Sequence, residues 1–461
     1  MAINLKFCGG VGTVSGSMHL ATTDKSAVLI DCGLFHGHRD EYYTVNSAFP
    51  INPSDLDCCI ISHAHIDHCG NFPTLVNKGF RKKAYLTPST MELCQYMLPD
   101  SGHIQEEDIK YVNKVNQRRG RPSREALYTR NDAEASLRHL YALDYHRKQR
   151  LTEDMELTFF DAGHILGSSI PTIDISANGK TIRIAYAVDL GRPNLPYVGN
   201  PEIPEKIDYL IIESTYGGRK HSPIEETEKK LMEVVNKTVA RGGKIIVPSF
   251  ALERTQEVIY FLSRLLRERK IKEIPIYVDS PLAVNVTKVF ENNKDYFDKE
   301  IQDMDPLASE NITYIENVEQ SKRLHNKRGP MVIISASGTC EHGRILHHLK
   351  NNIENPYNTI VIVGYMPKNT LGKKIVEHDK PTVNIFGRPY ELKAEVVVVD
   401  SFSAHADSDY LVQYVNETRD SLKKVFIVHG EPEQSEKLKE KLVSLNVESM
   451  IPEKNETVCL E

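Results

Sequence analysis

The sequence predicts an α/β protein: one mixed α/β domain, a second α/β domain inserted into it, and a return of the chain to complete the first. Three observations predict this. The first 70 residues are short β-prone runs joined by tight turns. From Ile207 onward strands alternate with helix-length stretches, the βαβ rhythm of a parallel sheet. After about residue 384 strand patterns come back. A length of 461 residues gives room for two or three domains with sizeable cores.

Taken in order, Ile3 to Cys8, Met18 to Thr22 and Ala27 to Asp31 are β-prone, with Thr23-Asp24-Lys25 as a turn. Asp57 to Ser62 (DCCIIS) has the pattern of a short buried strand. From Gly102 to about Arg150 the spacing of apolar residues predicts charged helices. Leu157 to Asp161 is a strand, and Asn178-Gly179 joins the strands Thr172 to Ser176 and Thr181 to Val188 as a hairpin. YLIIES, KIIVPS, IPIYVDS, MVIISAS and NTIVIVGY then alternate with helices such as Glu225 to Arg241 and Leu252 to Arg269. Glu395 to Asp400 and Lys424 to His429 are the returning strands, with a helix near Asp407 to Arg419. No internal repeat or low-complexity tract interrupts this order.

Composition narrows the class. Apolar residues make up 40% and charged residues 26%, as in soluble globular proteins. With 57 basic against 63 acidic residues, no global positive field gathers nucleic acid, so any such substrate needs a local basic cleft or bound metal. The amino terminus lacks a basic stretch followed by a long apolar one, and the longest apolar runs are strand-length, so neither a signal peptide nor a membrane span is expected. The eight cysteines form no CxxC pair, which fits a reduced, cytoplasmic setting.

The strongest chemical signal is Ser62-His63-Ala64-His65-Ile66-Asp67-His68, directly after an apolar strand. Three imidazoles and a carboxylate on one strand-end loop can face a single point, and zinc takes ligands of this kind. A solvated His-rich loop or a single structural ion is the plainer alternative. One loop cannot fill two coordination spheres, so further ligands are sought at other strand ends. His164 (in DAGH), Asp189 (before Leu190-Gly191) and His429 (ending KKVFIVHG) stand at such places. Taken singly, each is more often a turn or capping residue.

Together, HAHIDH, DAGHILGS and the strand ending in Asp-Leu-Gly resemble the metallo-β-lactamase superfamily. Within it, Glu213-Ser214-Thr215-Tyr216-Gly217, Ser403-Ala404-His405 and Val428-His429-Gly430 resemble the β-CASP nucleases, the group of RNase J and of the nuclease subunit of the mRNA cleavage and polyadenylation factor. PSFALERTQE, VDSPLA and SASGTCEHGRILHHL extend the likeness over nearly the whole chain, in the manner of the shorter bacterial members. The resemblance implies an αββα sandwich formed by residues 1–217 and 384–461, interrupted by a β-CASP domain at 218–383. It implies that His63, His65 and His164 hold one zinc ion, that Asp67, His68 and His429 hold a second, and that Asp189 bridges them; manganese is the substitute metal. Asp31 would orient the histidine loop without binding metal. Asp67, Glu213 and His405 are the catalytic candidates, with His405 donating a proton to the leaving ribose oxygen. One departure concerns Ala187-Val188, where the family often has Ser-Gly or Thr-Gly before the bridging Asp.

Softer candidates are phosphate contacts. Ser249 lies where a strand passes into a helix, Arg254 starts that helix, and Ser337, Gly338 and Arg344 follow another strand. Ordinary strand-to-helix packing explains them equally well, and Arg118-Arg119-Gly120-Arg121 reads as a solvated loop. The implied function is two-metal hydrolysis of single-stranded RNA, by endonucleolytic or 5′→3′ exonucleolytic cleavage, giving 5′-phosphate and 3′-OH ends. The partner is single-stranded RNA, no membrane is involved, and a homodimer is admitted. A small-molecule hydrolase of the same fold lacks the inserted domain and the ESTYG and SAH motifs. A DNA-directed β-CASP nuclease typically has Val at the last histidine. A non-catalytic scaffold subunit tends to lose ligands that this chain keeps.

Overall fold

The computed structural model describes residues 2–461 except His38, Asn178, Asp298, Tyr365, Lys368, Asp400 and Ser401. The chain forms two compact units, one of residues 1–220 and 404–461, the other of residues 221–403.

The first unit is a sandwich of two seven-stranded sheets with helices on their outer faces. In one sheet the strands Ile3–Gly9, Met18–Thr22 and Ala27–Ile30 are antiparallel neighbours. Cys58–Ile60, Lys83–Leu86 and Leu140–Ala142 continue it in parallel. In the other sheet Met155–Asp161, Ser169–Ala177 and Lys180–Ala187 form a meander. Tyr209–Glu213 and Lys424–Val428 add to it in parallel, so the returning chain completes the sheet. The period-two pattern explains the layers. Ile3, Leu5 and Phe7 meet Ile182, Ile184 and Tyr186 in the core between the sheets. The alternate Ala185 and Ala187 join the helices Ser408–Thr418 and Pro432–Val443 in a second core on the outer face.

The second unit holds a six-stranded sheet whose pairings are all parallel among the described residues. Its helices, such as Arg254–Arg267 and Pro281–Asn292, are the crossovers that parallel pairing requires.

Two expectations differ from the structure. The 102–150 segment is not helical throughout: one helix runs Pro88–Arg118, a short one Arg130–Ser136, and the rest includes the edge strands Leu140–Ala142 and Gln149–Arg150. The charged sequence there suits a half-exposed edge strand as well as a helix face. The return to the first unit comes at Ala404, not at 384, because Glu395–Val398 pairs with Thr359–Ile362 in the inserted sheet. The expected turn residue Asn178 and the expected strand end Asp400 lie outside the described residues, while Ser169–Ala177 and Lys180–Ala187 do pair as an antiparallel hairpin.

Two glycines set how closely the loops approach. A Cβ on Gly33 would stand 1.6 Å from the Asp67 carbonyl oxygen, and one on Gly191 would stand 1.8 Å from that of Gly163. Both contacts are with backbone, which cannot swing aside. Gly33→Ala is therefore expected to destabilise the protein by about 1–3 kcal/mol, the usual cost of overpacking. A urea melt checks this, and an unchanged midpoint contradicts it.

Candidate metal centre

All the strands that supply the site run the same way, and their carboxyl ends meet at one rim of the sandwich. Asp31 follows Ala27–Ile30, and His63, His65, Asp67 and His68 follow Cys58–Ile60. His164 follows Met155–Asp161, Asp189 follows Lys180–Ala187, Glu213 ends Tyr209–Glu213, and His429 follows Lys424–Val428. His405 reaches the rim through an isolated bridge to Gly191.

The side chains fall into groups whose donor atoms lie within 4.8 Å of one another: His63, His65, His164 and Asp189; Asp67, His68 and His429; and Asp189, Glu213 and His405. In the first group His65 Nδ1 lies 3.1 Å from His63 Nε2 and 3.3 Å from His164 Nε2. Asp189 Oδ2 stands 3.4 Å from both His63 Nε2 and His164 Nε2, and 4.0 Å from His65 Nδ1. A tetrahedral ion with nitrogen ligands at about 2.0–2.1 Å separates its ligands by roughly 3.3 Å, so the spacing suits a divalent ion. The other oxygen, Asp189 Oδ1, faces the second group, 3.3 Å from His68 Nε2 and 3.1 Å from His429 Nδ1. Asp67 Oδ2 lies 3.9 Å from His68 Nε2 and 3.6 Å from His429 Nε2.

Satisfaction of polar atoms tests the fit. His68 Nε2, His429 Nε2 and Asp189 Oδ1 are buried with no hydrogen-bond partner among the described residues. Such atoms are costly unless something binds them. Burial holds His63 neutral, down to about 4, and holds His164 well below the ordinary histidine value. Neutral imidazole is the ligand form. Burial also works against a charged His68, yet Asp189 and Asp31 outweigh it and raise this ring well above its ordinary value. The field that holds a proton there also favours a cation. The cluster is therefore suited to divalent metal.

Asp31 does not face the donor groups directly. Its Oδ2 accepts from His68 Nδ1 at 2.7 Å, Tyr186 Oη at 2.8 Å and Ser62 Oγ at 2.9 Å; its Oδ1 accepts from the Ser62 amide at 2.8 Å. This fixes the proton of His68 on Nδ1 and turns Nε2 toward the metal groups. Nothing in the sequence singles out Tyr186, an ordinary strand residue until its register is known. Thr215, in the ESTYG stretch, has no role legible in the sequence; its Oγ1 stands 3.3 Å from His429 Nδ1 and donates to the His429 carbonyl at 3.1 Å.

Glu213 is fully buried and accepts the Leu190 amide at 2.6 Å. His405 Nδ1 stands 3.1 and 3.0 Å from its two oxygens. Burial opposes a charge on His405, but Glu213, Asp189 and Asp67 prevail and raise it to about 9. A cation beside Asp189 would bring it back toward neutrality.

The softer candidates lie in the second unit. Ser249 is buried and its Oγ donates to the Phe250 carbonyl. Arg254 pairs with buried Glu257 at 2.5 Å and lies 5.5 Å from the Phe402 ring centre. Arg344 gives its guanidinium to Asp279 and to the carbonyls of Ile315 and Glu316, which ties it to the protein interior. The Ser337 hydroxyl accepts the Glu341 amide, and Gly338 packs against Phe250. Arg118, Arg119 and Arg121 are at or beyond the exposed carboxyl end of the helix Pro88–Arg118.

Comparison with known proteins agrees with this layout. Residues 11–95 match the metallo-beta-lactamase superfamily, 255–375 the Beta-Casp domain, and 389–452 the Zn-dependent metallo-hydrolase RNA specificity domain. The chain is 33% identical to ribonuclease TTHA0252 of Thermus thermophilus, over 92% of this chain and 93% of that one. It is 30% identical to an RNase J-like protein of Methanocaldococcus jannaschii, over 94% and 93%. It is 31% identical to the transcription termination factor FttA of Pyrococcus horikoshii, over 94% of this chain and 67% of the relative. A solved protein of unknown function from Enterococcus faecalis shares the fold, with a TM-score of 0.54 at 13% identity and full coverage of both chains.

Because Asp189 turns one oxygen to each group, Asp189→Ala is expected to remove most bound metal. His429→Ala, which touches one group, is expected to remove a smaller share. Elemental analysis of protein purified without chelator checks both. Equal metal content in Asp189→Ala and the unaltered protein contradicts the shared role.

Proposed function

The chain belongs to the β-CASP ribonucleases of the metallo-β-lactamase superfamily, and from that membership we propose that it hydrolyses phosphodiester bonds of single-stranded RNA at a pair of zinc ions, leaving 5′-phosphate and 3′-OH ends. What carries this function is the position of Glu213 and His405. They share Asp189 with the metal donors and add an acid–histidine pair beside them.

His63, His65 and His164 would hold one ion and Asp67, His68 and His429 the other, with an Asp189 oxygen for each. Imidazole and carboxylate ligands suit zinc, and manganese would be a functional substitute. When bound, such ions acidify a water molecule and draw charge from the phosphate oxygens.

The chain's own groups manage position and protons. Asp31, Ser62 and Tyr186 lock the His68 ring. Asp67 is the least buried carboxylate of the set at 24% side-chain exposure. Burial favours its neutral form, but His429 and His68 hold it as the anion, the form that binds a metal ion. Glu213 keeps Nδ1–H of His405 bonded and aligned. His405 then delivers the Nε2 proton to the oxygen leaving from the 3′ side. The 2′-OH takes no part in this chemistry. The eight free thiols suit a cytoplasmic setting, and no helix among the described residues is long and apolar enough to cross a membrane.

Two outcomes are expected. First, His405→Ala should lose about 10²–10⁴-fold in rate with metal content unchanged, since the proton donor is not a ligand. Loss of metal from that variant would contradict the division of labour. Second, end-labelled single-stranded RNA should be cut to fragments with 5′-phosphates, and chelation should stop the reaction. An RNA with one 2′-deoxy residue at the cut should still be cleaved. The mechanism is falsified if that substitution abolishes cleavage and the all-RNA products end in cyclic phosphate.

A further inference from the structure

We propose that a cleft at the amino ends of the parallel strands of the first sheet is a second binding site for single-stranded RNA, apart from the metal centre. This rests on the ribonuclease reading above. The cleft has a volume of about 540 Å³ and is lined by Arg81, Lys82, Lys83, Tyr85, Arg138 and Tyr141 among others. Cys58–Ile60, Lys83–Leu86 and Leu140–Ala142 run parallel, so Lys83 begins its strand at the end opposite the HAHIDH loop. A strand of three or four residues spans roughly 10–13 Å, which sets the least separation between the two sites.

The chemistry is that of a nucleotide. Register places Tyr85 beside Tyr141, and period two puts Lys83 on the same face. Lys83 Nζ stands 4.5 Å from the centre of the Tyr141 ring, and Tyr141 is 42% exposed. Arg81 is fixed by hydrogen bonds to the carbonyls of Val76 and Phe80, at 2.6 and 2.7 Å. The acid in the lining, Asp57, is occupied by the Ala27 amide at 2.9 Å. Cations therefore prevail here in a chain whose net charge is −6. An exposed ring with a lysine over one face and further cations in the same cleft stacks a base on its other face and takes the phosphates on either side, the arrangement used for single strands without sequence preference. An acidic peptide would use the cations and leave the rings idle. A strand held here raises its effective concentration at the metal centre, so the cleft favours long RNA over short.

The test compares the zinc-loaded protein with a Lys82→Ala, Lys83→Ala, Arg138→Ala triple variant and with Tyr141→Ala, on single-stranded RNA of about 40 and about six nucleotides. For the long RNA, KM should rise about tenfold in the triple variant with kcat unchanged, and the salt dependence of log Kd should fall by a slope of about 2. The short RNA should be unaffected, and Tyr141→Phe, which keeps the ring, should behave as the unaltered protein. The proposal is overturned if both lengths respond alike or neither responds. It is also overturned if the variants lose only binding of free UMP, which would make the occupant a mononucleotide. An unaltered protein that cuts neither RNA overturns the proposed function instead. Fluorescence anisotropy of the long RNA with zinc-loaded His405→Ala, with and without the triple substitution, then still decides the cleft.

Discussion

Buried negative charge governs this protein. Asp31, Asp189 and Glu213 are at most 2% exposed, and all three sit at one rim of the sandwich. A carboxylate taken from water is tolerated only when paired and hydrogen-bonded. Asp31 takes His68, Tyr186 and Ser62, and Glu213 takes the Leu190 amide and His405. Asp189 differs. Its neighbours are imidazoles of both donor groups, and Oδ1 has no hydrogen bond among the described residues. Its burial is coherent only with cations close by. The two sheets, the loops that end their strands and the glycines that let those loops touch all serve to hold that carboxylate.

Backbone conformation is part of the same constraint. Asp31, Asp189 and His429 have φ values of 58°, 57° and 47°. Each is the first residue or so beyond a core strand. The left-handed turn takes the chain off the strand at once and directs the side chain along the rim. For residues with a Cβ this conformation costs on the order of 1–3 kcal/mol each. That cost is offset by the cores beneath, where Ile30, Ile184, Tyr186 and Val428 are buried between the sheets.

Much of this is legible in the sequence, and for definable reasons. The histidine loop declares itself because its donors lie within six residues. The strands are visible because period-two patterning reports burial on one face. His164, Asp189, Glu213 and His429 are each an ordinary strand-end residue by type and His405 an ordinary residue before a helix, and only the family pattern joins them. What stayed hidden depends on register or on distant partners. Tyr186 reaches Asp31 because Lys180–Ala187 pairs in one register and not the next. Arg344 reads as a phosphate contact until Asp279, far away in sequence, claims it. Glu395–Val398 reads as a return to the first unit because its composition does not say which sheet edge it will join.

The two ends of the first sheet differ in charge for a physical reason. A phosphodiester strand is an anion, and this chain carries a net charge of −6. At the carboxyl ends of the strands the carboxylates would repel such a substrate, and only bound cations reverse that field. A catalytic rim made attractive by metal alone draws phosphate over a short range, since salt screens beyond about 8–10 Å. Fixed cations at the opposite strand ends, Arg81, Lys82 and Lys83, need no metal to be positive. They supply attraction where carboxylates are sparse, and they leave the rim free to keep the carboxylates that its chemistry requires. Acidic overall charge and an anionic substrate are thus compatible, because the cleft's cations and the metal donors stand at opposite ends of the sandwich.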